Sequence, residues 1–145
     1  MHLRFARWTG CACALLILAG CGGAVRVDPP VPEGAAAAAC EKLGERLPQK
    51  LDGADRVEST PASPYVAVWG AGQIALRCGV PRPAAMAATD QVPEIDGVAW
   101  FPDPVRPTLF TSIGREAYVE VTIGREHTPQ TVLVDLAAPV KAALP

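Results

Sequence analysis

Basic runs, histidine and aromatic side chains are all scarce in this chain. Its 145 residues hold 13 Lys and Arg and two His, and aromatics make up 6%. No cluster of Lys and Arg could track a phosphate backbone, which argues against nucleic acid as a partner. The one apolar run near the start, Trp8 to Ala19, covers about twelve residues where a spanning helix needs about twenty. It does not read as a membrane span. No Gly-x-Ser-x-Gly elbow is present, and Gly70-Ala71-Gly72 is followed by a strand pattern rather than a helix, so no phosphate-cradling loop is expected. Asp90, Glu94 and Asp96 in "TDQVPEIDG" lack the spacing that wraps a calcium ion and read as a polar loop. No metal or organic cofactor is expected.

What is present is apolar surface and turn formers. Hydrophobic residues make up 50% of the chain and charged residues 19%, with fifteen prolines and thirteen glycines. That composition is incompatible with disorder throughout and has room for one domain of short elements joined by frequent turns.

The first twenty residues have their own logic. Arg4 and Arg7 form a positive start, the apolar run follows, and small residues close it. This is the pattern of a secretory signal peptide, residues 1–20. Leu18-Ala19-Gly20-Cys21 resembles the bacterial lipobox, in which a cysteine thiol takes a diacylglycerol and becomes the new N-terminus. Cys11 and Cys13 do not fit, because Trp8 and Gly10 stand where Leu18 stands for Cys21. Cys21 is therefore the expected lipidation site, and several acyl chains on one residue give stable anchoring. The expected address is the extracytoplasmic face of the cell membrane, with the bilayer itself as the first partner. Without Arg4 and Arg7 the thirteen basic residues become eleven against fifteen acidic ones, a net charge of about −4, so headgroup attraction adds little to the anchor.

Residues 21–34 read as a lipidated cysteine and a tether. Pro29, Pro30 and Pro32 favour an extended course of about 3 Å per residue, a stand-off of up to ~40 Å, and argue against a strand there. Residues 35–145 form the single domain. Ala36, Ala39, Cys40, Leu43 and Leu47 recur at helical spacing, and Pro48 stops that helix. Residues 53–64 read as a polar surface loop. Two strands flank residues 70–72, and further strands are predicted at 97–101, 108–113 and 117–123. In the last, Val119, Val121 and Ile123 point inward. Thr128 before Pro129 starts a second helix, its hydroxyl capping, and Pro139 ends or kinks it. "IGRE" at 113–116 and 123–126 reads as two similar turns. The fold class is α+β: a mainly antiparallel sheet of four to five strands, flanked by an N-terminal and a C-terminal helix that cover one face.

Cys40 lies on the apolar stripe of the first helix and Cys78 on the inward face of its strand, in an exported protein where disulfides persist. A Cys40–Cys78 bond closing 38 residues contributes about 4 kcal/mol as an upper figure. His127, in "GREHTPQ", reads as a solvated turn residue. A hydrolase using it with Ser59, Ser63 or Ser112 is the alternative. Trp69 and Trp100 fit the core. The sharper reading makes them the floor of a binding face with Arg77 as its charged contact.

Cys40 with Leu47-Pro48, Trp69-Gly70, Leu76-Arg77-Cys78-Gly79 and Gly97-Val98-Ala99-Trp100 together resemble a family of small actinobacterial exported lipoproteins catalogued as a domain of unknown function. The resemblance spans residues 36–144 and implies a cell-envelope setting. The family pattern carries an acidic residue where this chain has Ala71 and Ala99. The functional expectation is a non-catalytic envelope module that binds a protein or a wall component.

Overall fold

The computed structural model describes residues 23–145. The expected signal peptide, residues 1–20, and the expected lipidation site Cys21 lie outside the described residues. The chain opens with β1 (Val25–Arg26) and α1 (Gly34–Arg46), followed by the short strands β2 (Lys50–Leu51), β3 (Ala54–Val57) and β4 (Ser59–Thr60). The longer strands β5 (Val66–Trp69) and β6 (Ile74–Val80) come next, then β7 (Glu94–Ile95), β8 (Val98–Pro102), β9 (Leu109–Ile113), β10 (Tyr118–Ile123) and α2 (Pro129–Ala143). Eight strands pair in the order β2-β3-β5-β6-β10-β9-β8-β7, every pair antiparallel. The α+β class stands, but the sheet has eight strands where four to five were expected.

The extra strands are short pieces at the two ends of the sheet. Residues 53–64 are not the expected surface loop, because β3 and β4 lie within them. Asp52 and Gly53 both have positive φ, 45° and 81°, the backbone of a tight two-residue hairpin that joins β2 to β3. Strands of two to four residues bury too few side chains to show an alternation.

One sheet face carries the core. Ile74, Leu76 and Cys78 of β6 stand beside Val119, Val121 and Ile123 of β10, with Trp69 of β5 and Trp100 of β8 further out. Helix α1 lays Ala39, Cys40 and Leu43 on this face, and α2 adds Val132, Leu133, Leu136, Ala137 and Val140. The alternation expected for β6 and β10 is observed, with burial strict at every second residue of β6. Cys40 and Cys78 are bonded, Cα to Cα 5.5 Å, where the first helix crosses the centre of the sheet.

Two details of α2 differ from expectation. The Thr128 hydroxyl makes no cap bond; the Asp52 carboxylate instead accepts the Thr128 N–H at 3.3 Å. The helix runs on through Pro139 to Ala143, since Leu136 and Ala137 before the proline and Val140 and Ala143 after it remain packed in the core. The two "IGRE" segments also differ: Gly114 has φ +74° in the β9–β10 turn, whereas Gly124 is not left-handed.

The expected tether is partly bound to the domain. Val25 pairs in parallel with Ser59 and Arg26 with Thr60. Asp28 O accepts the Arg77 Nε–H at 3.0 Å, Pro30 is buried, and Pro32 packs on Gly79. The prolines did not forbid this strand because they follow the two paired residues and remove no ladder bond. The N-terminal segment is a strap over the second sheet face, and the extended lead expected across residues 21–34 does not extend beyond residue 24.

Candidate functional site

The three residues expected to form a binding face are not brought together. Trp69 is fully buried and Trp100 is 1% exposed, both on the helix-covered face. Trp69 Nε1 donates to Pro48 O at 3.0 Å, while Trp100 Nε1 has no partner among the described residues. Arg77 lies on the opposite face, because neighbouring positions of a strand alternate. Its guanidinium pairs with Glu120 at 3.0 Å and its Nε holds the strap. Arg77 is therefore a clasp between sheet and strap, and the sharper reading of the trio is withdrawn.

His127 is not the solvated turn residue expected. Its side chain is 9% exposed, with Nδ1 3.0 Å from Asp52 Oδ2 and Nε2 3.4 Å from Gln73 Oε1. Asp52 thus joins three elements: the β2–β3 turn, the imidazole and the start of α2. Two of the three serines considered for a triad are engaged elsewhere, and Ser59 lines a cleft beside Arg56. Ser63 Oγ accepts the Tyr65 N–H and Ser112 Oγ the Val119 N–H. Neither bonds to His127, so the imidazole pins the β2–β3 turn to the helix start.

The acidic loop is similarly occupied. Asp90 accepts the Ala87 N–H at 2.7 Å, and Asp96 faces Lys141 at 3.6 Å. Among the described residues no three His, Cys, Asp or Glu side chains gather as a metal site would require. Ala71 is exposed with φ +43°, a backbone region that Asp and Asn enter more readily than Ala.

A better candidate is Arg56, within the residues 53–64 expected as a surface loop. It stands on β3 opposite Trp69, and its guanidinium carbon lies 5.8 Å from the centroid of the Trp69 ring. The cation covers the indole face and gains from the ring quadrupole. Burial pulls its pKa below the usual guanidinium value. Among the described residues it forms no ion pair, unlike Arg77 and Arg106. Arg56 lies between two adjoining clefts. One, of about 310 Å³, is lined by Glu41, Gly44, Glu45, Ser63 and Val66. The other, of about 500 Å³, is lined by Gln49, Glu58, Ser59, Ser63 and Val66. Gly44 lets the two walls approach, since a Cβ there would sit 2.8 Å from Pro64 O. The Tyr65 hydroxyl donates to Glu41 Oε1 at 3.3 Å. Its phenol pKa is raised by burial first, then by the Glu41 charge and hydrogen bond.

The cleft can grip a small polar group with a cation backed by an aromatic ring, two serine hydroxyls and flanking carboxylates. The signal in the sequence was the Asp52-Gly53 pair, which marks a hairpin and places Arg56 on its second strand. A family model described as "Protein of unknown function (DUF3515)" matches residues 19–145. No curated protein and no solved structure matches the chain.

Proposed function

Since the chain belongs to the DUF3515 family of proteins of unknown function, we propose that it is a lipid-anchored extracytoplasmic module of the cell envelope that binds its partner without catalysing a reaction. The Cys40–Cys78 disulfide carries this reading. A bond buried at the centre of the core, with Cys40 at 0% and Cys78 at 1% exposure, belongs to a protein that folds in an oxidising compartment. The lipobox-like Leu18-Ala19-Gly20-Cys21 supplies the address. The open Arg56 cleft supplies a surface for a partner, and His127 bonds Asp52 and Gln73 rather than a serine nucleophile.

Binding without chemistry gives the anchor a purpose. Holding a weak module on a surface raises its effective concentration toward a partner on that surface. Mass spectrometry of the mature N-terminus should show acylated Cys21. Cells carrying Cys21→Ala, with export confirmed, should lose function although the domain folds. Full rescue by the unlipidated chain would overturn the reading and favour an enzyme using His127.

A further inference from the structure

We infer that the Arg56 cleft binds a zwitterionic headgroup, an oxyanion together with a primary ammonium, presented by the membrane surface. Three observations lead there. The first is a guanidinium that forms no ion pair among the described residues. Arg56 is partly desolvated on Trp69, and its planar fork of donors matches an oxyanion in two-point geometry. Ser59 and Ser63 line the clefts on either side of it, and each hydroxyl can donate a further bond.

The second is the charge of the wall. A simple anion would meet Glu41, Glu45 and Glu58 beside Arg56, and like charges repel it. Glu41 and Glu45 are four residues apart on α1 and both exposed, so they share a helix face. A ligand that places an ammonium there and a phosphate on Arg56 satisfies both signs at once. A phosphoethanolamine head has that chemistry.

The third is location, which rests on the anchor reading. Glu58 and Ser59 line the larger cleft, and Ser59 pairs with Val25. Val25 is four residues after Cys21, a reach of at most about 14 Å when fully extended. The strap therefore holds the Arg56 corner close to the headgroups, where a long tether would have let it stand away.

The test uses the full-length exported chain carrying Cys21→Ala, so that no lipid of its own contributes. Flotation with phosphatidylcholine vesicles, alone or containing phosphatidylethanolamine or phosphatidylglycerol, is compared with calorimetric titration of free phosphoethanolamine and inorganic phosphate. Ethanolamine vesicles should bind and the other two should not. Arg56→Gln should weaken that binding about tenfold or more, the loss of one charge-assisted pair. Glu45→Gln, an exposed change that leaves the Trp69 stack intact, should erase the preference for phosphoethanolamine over phosphate. Binding of free phosphoethanolamine without vesicle binding would support the chemistry and assign it to a soluble ligand. Equal binding to all vesicles, undiminished binding by Arg56→Gln, or binding of neither probe would each overturn the proposal. Acylation of wild-type Cys21 is measured separately, so a failed anchor and a failed cleft are distinguishable.

Discussion

Replacing both bridged cysteines, Cys40→Ala with Cys78→Ala, removes a crosslink that closes a separation of 38 residues. The chain-entropy relation gives about 4 kcal/mol for a loop of that size. The lost sulfur atoms leave holes in a core where the two cysteines are 0% and 1% exposed, adding about 1 kcal/mol. Against a typical domain stability of about 5–15 kcal/mol, the variant sits near the margin of folding. Over roughly 120 ordered residues the entropy of unfolding is about 0.25 kcal/mol/K, so Tm should fall by about 15–20 °C. Circular dichroism melts of oxidised wild type and the double variant, in identical buffer without reductant, measure this. The wild type should also resist a mild reductant until it unfolds, because no attacking thiolate reaches a bond under α1. A Tm loss below about 5 °C would refute the reasoning, since the crosslink would then constrain little of the unfolded chain. Free thiols in natively exported protein would refute the pairing itself.

Two further outcomes follow from particular contacts. Gly79 has φ +90°, and a Cβ there would lie 2.5 Å from Pro32, so Gly79→Ala should release the strap and cost about 2–3 kcal/mol; faster tryptic cleavage after Arg26 checks it, and unchanged cleavage would count against a strap. Asp103 accepts the Arg106 N–H, the Arg106 guanidinium and the Val105 N–H, and these bonds, the Arg106 backbone first, hold its carboxyl below the usual value. A depressed carboxylate stabilises the 103–106 loop above its unfolded pKa, about 3.9, and loses that contribution as pH falls through the folded value. An NMR titration of the Asp103 carboxyl should therefore have its midpoint below that of a free aspartate, and a midpoint above it would contradict the bonding described.

How far the sequence reached can be traced residue by residue. The long elements were legible because each is long enough to show a period. Helix α1 shows Ala39, Cys40 and Leu43 at three- and four-residue steps, and β6 and β10 alternate over six or seven residues. The disulfide followed from those periods, since each cysteine sat on an apolar face and both faces had to meet in one core. Segregated charges and small residues before Cys21 gave the expected address by local chemistry alone.

Tertiary structure decided what periodicity cannot encode. Two-residue strands such as β1, β2, β4 and β7 form because a neighbour offers free backbone groups, and no side-chain pattern records that. The same cause tied Val25 and Arg26 to β4, and the pairing of β6 with β10 chose Glu120 as the partner of Arg77. Burial of His127 depended on Asp52, 75 positions earlier in the chain. Arg56 became a candidate only when the hairpin laid its guanidinium on Trp69, with no counter-ion among the described residues. Local periods fix which face of an element is apolar. Which polar group meets which depends on long-range pairing, because a hydrogen bond or ion pair acts over about 3 Å between residues the sequence separates by dozens.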